Sequence, residues 1–571
     1  MPNFYTDNPD IPFCIGQLNM DRAVKLREDD FADAKTYSYA PQDTAEAQAQ
    51  YDEILKLAGD ISGNFVAPRA KVVDKEGNEY RDGKVILHPE LQASIKRFAG
   101  ADLMGLSIAR RYGGLNLPNV IKTAVIEMIA RADASLMNIV GLQDIAETIE
   151  EFGDEEMKQD ALPRLCAGED TAAMVLTEPD AGSDLQSVRL RAEPVDEAKG
   201  LWKLSGIKRF ITNGCGEVLL VLARSEPNTA GARGLSVFLV RKSDAVRIRR
   251  IEDKLGIHGS PTCEIQFNAA PGKLLGQRKR GLTDVGLAIM NGARVAIAAQ
   301  GLGLAEAAYR AARDYSQSRV QFGRPIRQIP AVYDLLAQMR IRIEAARALT
   351  YHAADVVEQL KASERGVGSG EKNPADFKAE LKRLTRLATV LTPLTKLYAT
   401  EIANSVASDA IQVLGGSGFM KDYPVERYFR DARITNIYEG TTQLQVVGAI
   451  GGIRSGVLRA NLDGLLREAK GNEFAAQVTA LLPELNQSLA IAAANDADVE
   501  FNDLYARWIV ALGLDLYLGA LLALQAGTGN ERKIALAEAF FAEMPLRAKM
   551  TAGYINQASR AVIAGQKIII G

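Results

Sequence analysis

Ile121, Val125, Met128 and Ile129 fall at i, i+4, i+7 and i+8, the spacing of one helix face. IAETIEEFGDEEMKQDALPRLCAG (145–168) carries a similar period on both sides of Gly153 and predicts a helix, a glycine stop and a second helix. Near Thr171 the pattern changes. EVLLVLA (217–223), LSVFLV (235–240) and TCEIQFN (262–268) are short runs of β-formers, separated by turn signals such as EPNTAGARG, Gly206 and AAPG. They predict a compact β-domain ending near residue 278. From Gly281 the helical period returns in three long stretches, VGLAIMNGARVAIAAQGLGLAEAAYRAARDY, PAVYDLLAQMRIRIEAARALTYHAADVVEQL and LKRLTRLATVLTPLTKLYATEIANSVASDAIQVLGG. Pro393 predicts a kink in the third, and ERGVGSGEKNPADF, between the second and third, reads as a polar loop. A further helical block follows Gly452.

The expected order is a polar arm without clear period (1–45), a helical domain (46–170), a β-domain (171–278), a helical bundle (279–452) and an additional helical domain (453–571). The chain is thus mainly α with a central β-domain. Strands do not alternate with helices, so a parallel βαβ sheet and its nucleotide site are not indicated.

A length of 571 residues suggests three or four domains. The formal net charge of −3 gives no invitation to nucleic acid or an anionic membrane. Four cysteines lie far apart without a CxxC, which argues against a zinc site or a disulfide scaffold. With three histidines in the chain, acid–base chemistry falls to carboxylates. The N-terminus, MPNFYTDNPDIPF, has neither a basic n-region nor an apolar core, so no signal peptide is expected and a cytoplasmic location is. The apolar run from Trp508 is interrupted by Asp515 and reads as a buried helix rather than a membrane insertion.

Five segments could carry chemistry. VLTEPDAGSD (Val175 to Asp184) gathers Thr177, Gly182 and Ser183 into a turn that exposes N–H groups and hydroxyls; an ordinary loop is the plainer reading. In KRFITNG, Phe210 and Thr212 would share a strand face, able to stack on and bond a planar cofactor, or simply end a half-buried strand. SRVQFGRPI offers Arg319 as a phosphate ligand and Phe322 for packing on a flat group, at what is equally a helix terminus. QVLGGSGFMKDYPVERYFRDARI starts at Gln412, and its glycines, Gly415 and Gly416 among them, allow close backbone approach. In NIYEGTTQLQ a lone carboxylate, Glu439, sits on a glycine-containing turn between Tyr438 and Gly440.

In this order and spacing the five segments resemble the acyl-CoA dehydrogenase family over roughly residues 50 to 450. The resemblance implies a helical N-terminal domain, a middle β-barrel and a C-terminal four-helix bundle. It implies FAD and an acyl-CoA substrate, oxidised to the trans-2-enoyl-CoA as a carboxylate removes the α-proton and hydride leaves Cβ for flavin N5. Carried over residue by residue, Glu439 matches the base, and its backbone N–H with a flavin ribityl hydroxyl would stabilise the enolate-like oxygen. Val175, Thr177, Gly182, Ser183, Phe210 and Thr212 match the FAD-binding segments. Arg319 and Phe322 match residues that reach the FAD of a neighbouring subunit. Gln412, Gly415 and Gly416 match the adenosine–pyrophosphate side, and Thr441 and Gln443 the residues after the base. Arg294, Asn291, Tyr438 and Gly440 fall on the substrate side.

Some departures stand out. Family members that place the base before the arginine of NGARVA have a carboxylate where this chain has Ala293, so Glu439 stands alone. Asn291 replaces a common Asp, Phe210 a common Trp, and Pro330 stands where a Gln is expected. The N-terminal arm and the block after Gly452 resemble a long bacterial branch of the family, in which the extra block would cover a tetramer face and leave a homodimer. Electrons would pass to an electron-transferring flavoprotein. An oxidase using O₂ and a non-catalytic, nucleic-acid-binding flavin protein are the competing readings; the second calls for a basic C-terminal domain, which this chain lacks. At the pocket base Asn138, Gln143 and Asp144 could meet a polar acyl group, with the outer face of a helix the favoured reading.

Overall fold

The computed structural model describes residues 2–368 and 374–571. The first 45 residues are not a loose arm. They form helices Asp10–Gly16 and Asp21–Arg27, whose Ile11, Cys14 and Val24 join the main core, as does Met20 just before the second. Polar composition hid this, because the arm is held largely by charge. Arg27 donates to Glu358 through Nε at 2.8 Å and Nη2 at 3.2 Å, and both side chains are fully buried. The same carboxylate accepts from the Asn119 backbone at 2.7 Å.

The helices Asn119–Ala132, Ala134–Gly141, Ile145–Phe152 and Glu155–Cys166 follow. Gly153 separates the last two, as the pattern required. Asp133 and Asp154 cap their helices by accepting from backbone N–H groups two or three residues on. Every residue of Asn119–Ala132 is buried, which explains why its period is blurred by apolar residues on all sides.

A hairpin, β1 (Glu79–Arg81) and β2 (Lys84–Ile86), precedes the middle sheet. The sheet comprises β3 (Ala172–Val175), β4 (Arg191–Asp196), β5 (Leu201–Thr212), β6 (Val218–Arg224), β7 (Leu235–Arg241), β8 (Val246–Ile251) and β9 (Thr262–Leu275). The ladders β4–β5, β5–β9, β9–β7 and β7–β6 are antiparallel, and a single parallel pair, Arg191 with Arg224, joins β6 back to β4. The sheet thereby closes into a barrel. Long β9 serves two neighbours on one side, β8 along its first half and β7 along its second. Trp202, Phe238 and Phe267 fill the interior, the first two rings 5.4 Å apart.

The long helices are Gly286–Ser318, Pro330–Gly368 and Pro374–Leu414, joined by Val425–Thr435 and Thr442–Arg454. Pro374–Leu414 packs on each of the other four. It continues through Pro393, whose ring lies against Gly448. The expected polar loop around residues 364–377 is shorter than its composition implies: helix reaches Gly368 on one side and starts at Pro374 on the other, and its centre, 369–373, lies outside the described residues. After residue 456 come five more helices, of which Val499–Gly527 is the core. Its most apolar window is 83% buried within the protein, as expected of the run from Trp508.

Candidate active site

Glu439 lies between the helices Val425–Thr435 and Thr442–Arg454, where the chain reverses through two consecutive left-handed residues, Glu439 at φ +52° and Gly440 at φ +87°. The second is cheap for glycine. The first is uncommon for a residue with a Cβ. Thr441 starts the next helix as its cap, its hydroxyl accepting from the Leu444 N–H at 3.4 Å. Gln445 reaches back, and its amide donates to the carbonyls of Glu439 at 3.1 Å and Gly440 at 2.9 Å. Among the described residues no hydrogen bond engages the Glu439 N–H.

The carboxylate opens into a cavity of about 440 Å³ at the junction of the β-domain and the two helical layers. Ala293, Ala296 and Ile297 supply one wall, Met137, Gly141 and Ile145 another, and Met174 and Thr212 the β-domain edge. Burial pushes the Glu439 carboxyl up to about 7, against the opposing pull of Lys396 and Arg294. Burial likewise pulls Arg294 below its ordinary range, with Glu439 opposing. Its Nη1 donates to Asn291 Oδ1 at 3.3 Å, and its buried Nε has no hydrogen-bond partner among the described residues. Asn291 also accepts from the Thr392 hydroxyl at 3.2 Å. Tyr438 donates to Asn138 at 3.1 Å and lies in short contact with Gln300 Oε1.

The outer-face reading of Asn138, Gln143 and Asp144 is corrected. Asn138 and Gln143 are buried, and Asn138 and Asp144 line the cavity. Gln143 is spent on the Leu165 and Asp170 carbonyls at 2.9 and 3.3 Å. Asp144 belongs to an ionic wall: Lys122 lies 3.2 Å from it and 2.7 Å from Glu147, which Lys361 also contacts. Three polar residues within seven positions look like a wet helix face, but here partners from distant segments close over them.

The expected cofactor residues separate into two places. Thr212 lines the cavity with Glu439. Phe210 does not share its face: β5 gains an extra residue against β9 between Lys208 and Ile211, and Phe210 sits in that bulge at φ +61°, its ring 52% exposed. Simple alternation could not foresee the bulge. Val175 is buried inside the barrel core, so its side chain is unavailable. Thr177 is half-buried, and Gly182 and Ser183 lie exposed in the turn that follows. Gln443 is exposed one residue into the last helix. Arg319, by contrast, lines a separate open cavity with Tyr315, Leu414 and Ser417. Arg319 forms no ion pair among the described residues, Phe322 is 91% exposed, and Gln412, Gly415 and Gly416 lie exposed on the same side. These residues fit a long cofactor with a flat head and a phosphate-bearing tail: an open edge at Met174 and Thr212 beside an exposed aromatic ring, and a free guanidinium near two unobstructed glycines.

Sequence reading missed Lys396 and Gln300. Both interrupt apolar helical stretches, a signal that periodicity assigns to solvent.

Models of the acyl-CoA dehydrogenase N-terminal, middle and C-terminal domains match residues 48–169, 173–270 and 279–448. An acyl-CoA dehydrogenase of Bacillus subtilis is 36% identical over 397 residues, 68% of this chain and 94% of that protein. The 3-methylmercaptopropionyl-CoA dehydrogenase of Ruegeria pomeroyi is 33% identical over 468 residues, 77% of this chain and 75% of its own. A crystal structure of an acyl-CoA dehydrogenase complexed with FAD from Bacillus anthracis superposes at a TM-score of 0.74 with 24% identity, covering 89% of this chain and 88% of that one. That coverage reaches into the C-terminal extension, so the added helices share that fold.

Proposed function

The chain belongs to the acyl-CoA dehydrogenase family, and from that premise we propose that it oxidises the Cα–Cβ bond of an acyl-CoA thioester to the trans-2-enoyl-CoA, with Glu439 as the base for the α-proton. The observation that carries this is the carboxylate's setting: a left-handed turn aims it into a cavity with both apolar and ionic walls, where burial raises its pKa to about 7. A base of that strength is ionised often enough at neutral pH, yet strong enough to take a carbon-bound proton. The Glu439 N–H, unengaged among the described residues, supports a further task as donor to the thioester oxygen. Tyr438 lines the same space, and Arg294 faces Glu439. Ala293, at the alternative family position, has no acid–base group to offer.

FAD is the cofactor, and when bound it supplies the hydride acceptor. Met174, Thr212 and the turn at Gly182 and Ser183 would hold its flavin side. We assign Arg319, Phe322, Gln412, Gly415 and Gly416 to the tail of the FAD in a second subunit, because Arg319 lines a different cavity from Glu439 and the other four are exposed rather than part of the Glu439 cavity. We propose a homodimer as the assembly. An electron-transferring flavoprotein in the cytoplasm is the proposed electron acceptor.

The test is anaerobic mixing of the purified flavoprotein with a panel of saturated acyl-CoAs varied in length, branching, rings and terminal carboxylates. One class should bleach the flavin, and Glu439→Gln should slow that bleaching by about 10²–10⁴-fold. Bleaching unchanged by the substitution would remove Glu439 from the reaction.

A further inference from the structure

On the reading of Glu439 as base, we propose that Lys396 is its positioning residue: together with Gln445 it clamps the backbone of the Glu439–Gly440 turn and places a fixed cation beside the carboxylate. Lys396 stands mid-way along Pro374–Leu414 and is fully buried. Lysines are seldom so placed unless paired. Among the described residues it donates not to a carboxylate but to the Gly440 carbonyl, at 2.6 Å. Gln445 donates to that carbonyl and to the one before it, so two side chains from two helices converge on two successive peptide groups. Those are the peptides whose left-handed conformations aim Glu439 at the cavity.

A methionine would fill the same volume without the cost of burying an ammonium. It could not donate to the Gly440 carbonyl, but a neutral donor of the kind Gln445 supplies could, so the clamp alone does not call for a charge. The charge has a use at the reaction centre, where the ionised base must form in an apolar space. The groups facing Glu439 are Lys396 from Pro374–Leu414 and Arg294 from Gly286–Ser318. Lys396 in turn faces Glu439, Arg294 and Glu401. Glu401 is committed to Asn436 at 3.1 Å and to the Thr442 hydroxyl. Burial pushes the Lys396 ammonium down to about 8, so it still carries its charge where Glu439 titrates.

The experiment compares wild type, Lys396→Met, Lys396→Arg, Gln445→Leu and Glu439→Gln as FAD-loaded enzymes. Two readouts are taken: the pH profile of kcat with the acyl-CoA selected by the panel, and a substrate-free infrared titration of the carboxyl band that Glu439→Gln removes. In Lys396→Met that band should titrate about one pH unit higher than in wild type. Its kcat at pH 7 should fall at least about tenfold with KM little changed, because the loss concerns the reacting base rather than uniform binding. Lys396→Arg should restore the midpoint. Gln445→Leu should lower kcat while leaving the midpoint in place, since the cation remains. An unmoved midpoint with wild-type kcat in Lys396→Met overturns the proposal. Should that variant not fold, Gln445→Leu at full rate, or Lys396→Arg with a midpoint displaced from wild type, overturns it instead. A fully active Glu439→Gln sinks the base assignment itself and is read independently.

Discussion

Gly440 resists a side chain through its backbone, and any Cβ there would displace the Gln445 amide. Its φ of +87° is a glycine conformation, and an added Cβ would meet the Gln445 amide nitrogen at 2.6 Å. Gly440→Ala should therefore both strain the backbone and break the clamp, costing about 1–3 kcal/mol in chemical denaturation and most of the activity. The base itself sets a pH signature. Since the ionised carboxylate is the active form and burial lifts its pKa to about 7, kcat/KM of the free enzyme should fall as pH drops through about 7. A rate profile flat from pH 8 to pH 5 would contradict that setting. At this scale the sequence was informative where a residue type betrays its chemistry: an acid beside glycine after an arginine-rich helix. It was silent on Lys396, because a lysine in a helical stretch looks the same whether it meets water or a carbonyl.

Elements were legible where one face is buried and the other wet. The glycine stop at Gly153 and the buried helix from Trp508 depend on that contrast, and both stand in the structure. The pattern failed where packing is charged or the ladder irregular. The bulge in β5 detaches Phe210 from the face of Thr212, and nothing in KRFITNG announces the extra residue. Helix Asp21–Arg27 was invisible because its principal anchor is an ion pair. Burial alone would raise the Glu358 carboxyl, but the Arg27 guanidinium more than offsets this and holds it at about 2. A carboxyl depressed in the folded state contributes stability above its unfolded pKa, near 4.5, and loses it as pH falls towards 2. Arg27→Met, which leaves that carboxylate buried without its cation, should destabilise the protein by about 3–5 kcal/mol and shift acid unfolding to higher pH. Urea titrations at pH 7 and pH 3.5 measure both.

Across the whole molecule, the order of helical, β and helical layers was readable from the change of period alone. How the added helices attach was not, since their contacts join residues hundreds of positions apart. Tyr517 of Val499–Gly527 bonds His352 of the bundle at 2.9 Å. Lys533 lies 2.6 Å from Glu344 and 2.9 Å from Asp10, and Arg532 donates to both oxygens of Asp10 at 2.9 and 2.8 Å. Arg340 completes the knot by contacting Asp10 as well. A chain ending at residue 456 would leave the buried Glu344 without Lys533 and uncover apolar surface on the bundle. It should lose its cooperative thermal transition or aggregate, which calorimetry and size-exclusion chromatography would show.

That knot also sets a clock on the ribosome. Asp10 is made well ahead of two of its cations, which follow 522 and 523 positions later. At about 5–20 residues per second the acid waits roughly half a minute to two minutes for them. Through that interval the nascent N-terminal helices lack part of what holds them down, and the barrel and bundle must take shape around an unfinished seam. A late helix, Glu531–Asn556, fastens the early helix Asp10–Gly16, so a chain interrupted between the two should leave Asp10–Gly16 open to protease.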